Sequence, residues 1–396
     1  MMKVLNEMQA VGRTIRHPES GFAGSFAVLA LIGFVAMWSA SAGYAIRMDR
    51  GADYFALRQA LFFLPAIVVF IAASRFPLDR LRLLAGPLAL VSLLSLLLPF
   101  IPGIGVEING ARRWIDLYVT NFQPSELWKP ISLIYAAHIL DKKSLSIRKS
   151  AGEAIFPFMI IILGCLTIYL QDDFSTSVLA LVAGLSVFWF AGTPLRFFAG
   201  TLLLAIPAVV LMVTTSEYRL IRVLGFIIPD YDPHGMNYQV HNSIRAIMSG
   251  GLWGKGLGLG TRKLSSVPEI QSDFAFAAFA EETGLLGVVA IFSCWIFLVV
   301  SVVRATKGRE GFRYLLAMGL LCLLSLQFLV NLGVVSGFLP ATGIALPFFS
   351  AGGSSLLSTA LAGGLIMNTL KENGFSAVSN VSASSAAEVP GGKYNG

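Results

Sequence analysis

The chain has 396 residues, of which 56% are hydrophobic and only 13% charged, with a mean hydropathy of +0.74. A soluble domain carries about 25% charged residues, so too few charges remain to coat a globule of this size, and a membrane protein is the class that fits. The net charge of +7 would suggest nucleic acid in a soluble protein. In a membrane chain Lys and Arg gather in cytoplasmic loops instead, and no nucleic-acid partner is expected.

Residues 1–21 are mostly polar and read as a cytoplasmic N-terminal segment. The apolar run that follows, as far as Tyr44, is too long for a cleavable signal and reads as a first transmembrane helix. A span needs about 20 mainly apolar residues. On that measure the chain offers ten: 22–44, 54–74, 83–101, 123–140, 152–170, 174–191, 197–215, 274–303, 314–337 and 346–369. The expected fold is an all-α polytopic membrane protein of about ten helices. The second span holds Arg58 and Gln59 at a depth where an arginine needs a partner. The fourth is the least apolar, with Glu126, Lys129 and His138, and the eighth carries Glu281 and Glu282.

With the N-terminus inside, the segments on the cytoplasmic side hold fifteen Lys and Arg, and the short loops opposite hold four. This bias sets both termini in the cytoplasm. One extracytoplasmic loop is long, residues 216–272 between the seventh and eighth helices. Loops of that length are usually functional. Its semi-apolar stretch Tyr238–Ile247 suits an amphipathic helix on the membrane surface. The tail, 374–396, is rich in Ser, Ala, Val and Gly and is expected to be disordered. Cys165, Cys294 and Cys322 sit in apolar runs without metal-ligand spacing, and His17, His138, His234 and His241 are scattered.

Four places on the outer side collect ionisable or backbone-breaking residues. In Asn109–Trp114 (NGARRW), Arg112 and Arg113 either bind phosphate or anchor the chain at the interface with Trp114. In Gln123–Lys129 (QPSELWK), Glu126 and Lys129 share a helix face and can pair, as a structural ion pair or as part of a cavity. Asp273 stands where the long loop enters the eighth helix, either as an N-cap or as a general base at the mouth of a cavity. Glu281 falls about 80° round that helix from Asp273 and Glu282 about 180°, so only Glu281 could approach the same face. In Leu339–Ser355 (LPATGIALPFFSAGGSS), prolines and glycines break a hydrophobic stretch. Such backbone at membrane depth lines protein or a watery cavity. Its free N–H groups at Gly352 and Gly353, with Ser350, Ser354 and Ser355, either cradle an anion or pack helices closely. Gln171-Asp172-Asp173, in a tight outer turn, reads as a solvated turn.

These motifs, with Tyr238-Gln239, GGLWGKGLG, Pro268-Glu269, DFAFAAFAEETGLLG and PATGIALPFFSAGGSS in this order from about Gly21 to Asn373, resemble the SEDS (shape, elongation, division and sporulation) glycosyltransferases. The likeness covers 22–373 as one membrane domain. It implies a peptidoglycan glycosyltransferase that polymerises lipid II into undecaprenyl-diphosphate-linked glycan at the outer face of the cytoplasmic (inner) membrane. It also implies Asp273 as the essential aspartate, Glu126 and Lys129 as a cavity-lining pair, and Arg58 as the second helix's arginine. The expected partners are a class B penicillin-binding protein, the crosslinking transpeptidase, and other divisome proteins. A divalent metal, Mg or Mn, at the diphosphate is a further expectation.

The Trp38–Ala42 stretch and the run at 256–263 lean towards the division type, with the elongation type and a lipid II flippase as alternatives. Three places depart from the family pattern: Gln171-Asp172-Asp173, with Asp172 where the family usually has Pro, Gln271-Ser272 before Asp273, and Pro130, which is expected to kink the fourth helix.

Overall fold

The computed structural model describes residues 18–108, 110–118, 120–228, 236–260, 274–350 and 352–371. Asp273, the Pro268-Glu269 pair and the tail 374–396 lie outside the described residues, as does most of the 1–21 segment. A helix stands at each of the ten predicted positions: α1 (Pro18–Arg47), α2 (Tyr54–Arg75), α3 (Leu78–Ser95), α4 (Pro124–Lys142), α6 (Gly152–Leu170), α7 (Phe174–Phe190), α8 (Leu195–Thr214), α11 (Ala275–Thr306), α12 (Phe312–Val335) and α13 (Gly353–Leu370). A short α5 (Ser144–Lys149) links α4 to α6. Among the described residues, seven of these helices are long and apolar enough to cross a membrane. Of the other three, α4 carries too much charge, α7 has only 17 residues, and α13 is diluted by Gly, Ser, Thr and Asn.

The interior is a single large apolar cluster shared by most of the helices. α1 packs along α11, α2 along α13, α3 along α4, and α7 along α12. Trp295 of α11 stacks on Phe328 of α12 with ring centroids 4.2 Å apart. Gly33 of α1 has no room for a side chain, since a Cβ there would lie 2.7 Å from the Phe348 carbonyl oxygen. Small residues of this kind let helices approach closely where lipid gives no hydrophobic drive.

The fold is α-helical, as expected; β1 (Gly105–Ile108), β2 (Ala111–Asp116) and β3 (Asn121–Phe122) add only a small antiparallel sheet between α3 and α4. The Asn109-Gly110 dipeptide between β1 and β2 is a strong hairpin signal, and Gly110 has the positive φ, 77°, that such turns need. Pro130 does not break α4, which runs continuously from Pro124 to Lys142. Proline cannot donate to the carbonyl four residues back; that carbonyl, of Glu126, accepts instead from the Ser358 hydroxyl of α13 at 2.7 Å.

The long loop is also more structured than a loop. It contains α9 (Glu217–Ile227) and α10 (Met236–Gly250), the latter covering the helix expected at Tyr238–Ile247, and α10 packs on α11. Asn242, Ser243 and Ala246 of α10 are buried, and the Ser243 hydroxyl donates to the Val335 carbonyl at the end of α12.

Candidate active site: a charged cavity at the sheet end

At the end of the bundle that bears the sheet, a cavity of about 830 Å³ opens among α2, α4, the α6–α7 turn, α9 and the backbone before α13. It brings together Arg58, Arg113, Glu126, Lys129, Ser350, Gly352, Gly353 and Ser354. Three of the four sequence places therefore meet in one site. Arg112 is not among the lining residues.

The sheet explains why two adjacent arginines part. Glu107 pairs with Arg112 and Val106 with Trp114, so the register slips and Arg113 is the extra residue. A bulge of this kind re-aims a side chain. Arg112 meets Glu107 at 2.9 Å on the exposed face. Arg113 turns inward, 3.4 Å from Asp173.

Asp173 is not in a solvated turn, as the sequence suggested. It is 4% exposed, accepts from Gln123 Nε2 at 2.9 Å, and caps α7 by accepting from the Thr176 N–H at 3.3 Å. Beside it, Gln171 is buried and donates to the Leu96 carbonyl at 2.5 Å, and Asp172 meets Arg219 at 3.3 Å. The turn ties the ends of α3, α4 and α7 to the cavity wall.

Deeper in, Lys129 and Glu126 form a buried pair at 2.7 Å across one turn of α4. Burying two charges is costly unless geometry and further hydrogen bonds compensate. Only one oxygen of Glu126 is used: Oε2 has no hydrogen-bond partner among the described residues, nor do Gln59 Nε2, Arg113 Nε and Thr342 Oγ1. Buried polar groups are nearly always satisfied. Four such atoms in residues lining one cavity suit a polar ligand.

The far wall is the start of α13. Gly352 is its N-cap, with extended backbone and no capping side chain. A helix N-terminus with uncapped N–H groups favours an anion. Gly353 is required by packing, since a Cβ there would lie 2.7 Å from the Phe62 ring. Ser350 and Ser354 hold the frame: Ser350 Oγ accepts from the Leu346 N–H at 2.8 Å and Ser354 Oγ from the Gln123 N–H at 3.1 Å. Each hydroxyl keeps a hydrogen to donate.

Arg219 and Arg222 of α9, also lining the cavity, escaped the sequence reading because they sit in the long loop. Arg219 lies 4.6 Å from the Tyr169 ring centroid and donates to its hydroxyl at 2.9 Å. Arg222 donates to the Ala341 carbonyl at 3.2 Å. An amphipathic helix with two arginines one turn apart was the available signal. Glu281 and Glu282 are buried in α11 but do not line the cavity. α11 begins at Ala275, with no capping side chain on Phe274 before it; Asp273 lies outside the described residues.

The described residues offer no metal site: no three His, Cys, Asp or Glu side chains come together. Each carboxylate in the cavity already faces a cation.

A multi-pass membrane protein with a charged cavity under a small sheet at one end of its helices is the class that fold and site define. The chain belongs to the FtsW/RodA/SpoVE family of cell cycle proteins, whose model matches residues 21–374. It is 38% identical over 343 residues to a probable peptidoglycan glycosyltransferase FtsW of Trichlorobacter lovleyi, covering 86% of this chain and 90% of that protein. A protein of the same name from Geobacter metallireducens is also 38% identical, covering 86% and 91%.

Among solved structures, the fold resembles a chain from a peptidoglycan synthase complex that coordinates polymerization and crosslinking. That match has a TM-score of 0.69 and 27% identity, over 88% of this chain and 96% of that one. The rod shape determining protein RodA of Thermus thermophilus gives a TM-score of 0.63 and 26% identity, over 88% and 95%.

Proposed function

We propose that this chain, a peptidoglycan glycosyltransferase, polymerises lipid II into glycan strands for the septal wall in cell division, and that the charged cavity is where it does so. The observation that carries the reading is the cationic wall. Arg58, Arg113, Lys129, Arg219 and Arg222 line one cavity together with the uncapped N-terminus of α13. Lipid-linked sugars carry a diphosphate, and such a wall complements it. The higher identity to division-type relatives than to the rod-shape protein supports the septal role.

In the proposed reaction the 4-hydroxyl of the acceptor sugar attacks the anomeric carbon of the donor. The carbon–oxygen bond to the diphosphate breaks, and undecaprenyl diphosphate leaves with the electron pair. Arg58, Arg113 and Lys129 stabilise the negative charge that develops on it. Asp273 takes the hydroxyl proton as general base; it precedes the start of α11 by two residues in sequence. Ser350, Gly352, Gly353 and Ser354 supply hydrogen-bond donors on the opposite wall. Arg112, turned towards Glu107, has no part in this scheme. No step runs through a metal.

The sheet end of the bundle faces outward from the cytoplasmic membrane, with both termini in the cytoplasm, in keeping with the Lys and Arg bias of the loops. A class B penicillin-binding protein, crosslinking the nascent strand, is the partner we propose.

Glycan polymerisation from purified lipid II tests this. Wild-type protein with its cognate transpeptidase should give long strands, and Asp273→Ala should lose about 10²–10⁴-fold in rate, the loss expected for a general base. No product from the wild type, with lipid II still crossing the bilayer of proteoliposomes, would replace the polymerase with a flippase.

A further inference from the structure

α11 is broken. At Gly284 the backbone leaves the helical region, with φ 65° and ψ −164°. A broken helix loses its own hydrogen bonds on both sides of the gap, and the freed backbone groups need other partners. Here the segment after α10 replaces them. The N–H groups of Lys255 and Gly256 donate to the carbonyls of Glu281 and Glu282 at 3.1 and 3.0 Å. In return the N–H groups of Leu285 and Leu286 donate to the carbonyls of Gly251 and Leu252 at 2.9 and 3.3 Å. The fit is close: a Cβ on Gly254 would lie 2.1 Å from the Glu282 carbonyl oxygen.

Side chains lock the same joint. Lys255 Nζ donates to Glu281 Oε1 at 2.6 Å, and Ser249 of α10 reaches that oxygen at 3.4 Å. Ser39 of α1 donates to the Glu282 carboxylate at 2.7 Å. Both glutamates are at most 2% exposed.

The splinted piece, 275–283, bears on the cavity by contact. Phe276 and Phe279 pack on Phe349, with centroids 6.3 and 5.8 Å apart. Phe349 is the neighbour of Ser350, which lines the cavity. The same piece follows Asp273 in sequence by two residues.

We propose that Lys255 is a positioning residue for polymerisation. Through Glu281 it holds the first turns of α11, and so sets the Phe349–Ser350 wall of the cavity. The inference rests on the polymerase reading above. Lys255 is outside the cavity lining, so its loss should act on kcat, because the geometry of reacting groups is disturbed, and leave KM for lipid II unchanged within about twofold.

The test compares wild type, Lys255→Ala, Lys255→Arg, Glu281→Gln and the double variant Lys255→Ala/Glu281→Gln, each as the full chain with its transpeptidase. Lys255→Ala should lower kcat by at least about tenfold. Lys255→Arg should recover most of that, since it keeps the charge. The double variant should be no slower than the worse single variant, because the two residues act through one contact. Hydrogen exchange gives a readout independent of turnover: the amides of Leu285 and Leu286, protected by the splint, should exchange faster in Lys255→Ala, while those of α12 should not.

A rise in KM with kcat unchanged would make Lys255 a binding residue and overturn the inference. So would additive losses in the double variant, or a Lys255→Ala protein with normal kcat. If Lys255→Ala does not fold, Glu281→Gln alone decides on the same criteria. If the wild type itself forms no glycan, the polymerase reading fails, and the exchange data still report whether Lys255 locks the joint.

Discussion

α4 and α8 are both helices of about 20 residues in a membrane domain, yet they are opposites. α8 (Leu195–Thr214) is strongly apolar, and Phe197 is its only buried residue. α4 (Pro124–Lys142) carries Glu126, Lys129, His138 and Asp141, and 13 of its residues are buried. In a soluble protein the polar helix would be at the surface. In a bilayer the solvent is apolar, so a hydrophobic helix can face outward at no cost, while ionisable groups must turn towards protein or a water-filled cavity. Hydropathy alone therefore ranks α4, the helix that bears Glu126 and Lys129, lowest among the ten spans, and does not separate α8 from the apolar but buried α12.

If this contrast is right, substitutions in the two helices should differ sharply. Lys129→Ala leaves the Glu126 carboxylate buried without its counter-ion, and removing one partner of a buried pair costs about 3–5 kcal/mol. The variant should be markedly less stable in detergent and should lose lipid II polymerisation. Normal thermal stability would mean that water in the cavity compensates Glu126 for its lost partner.

Gly164→Ala probes the packing of α4 rather than its charge. A Cβ there would fall 2.2 Å from the Trp128 ring, and overpacking of that kind costs about 1–3 kcal/mol. The unfolding temperature should fall, with activity per folded molecule retained. Leu203→Ala in α8, at a residue 74% exposed, should change stability by less than about 0.5 kcal/mol. A larger loss in the same unfolding assay would show that α8 is covered by protein, not by lipid.

Much of this was legible in the residues. The ten apolar runs stand as ten helices, including α4, α7 and α13, which fall short by length or composition. Arg58, Arg113, Glu126, Lys129 and the Gly-Gly-Ser run were each suspect because charge or broken backbone at membrane depth is expensive. The hairpin was legible too, in Asn109-Gly110, but a search tuned to 20-residue spans passes over strands of four to six residues. Arg219 and Arg222 were hidden for another reason. A long loop carries no depth information, so the one signal left was the amphipathic spacing of the two arginines, one turn apart on α9.

The sequence by itself determined that the chain lives in a membrane, how many apolar segments it has, and which residues are too polar to sit there idly. Those are local properties, set by the transfer of each side chain between water and lipid. Only the tertiary structure decided which of them meet. A one-residue bulge sends Arg113 inward and leaves Arg112 outside. The missing N–H of Pro130 leaves the Glu126 carbonyl to accept from Ser358, which ties α4 to α13. The break in α11 is closed by backbone some 30 residues upstream. Each outcome depends on where a distant partner lies, and hydrogen bonds and ion pairs reach only a few ångströms, so no local pattern of residues can encode it.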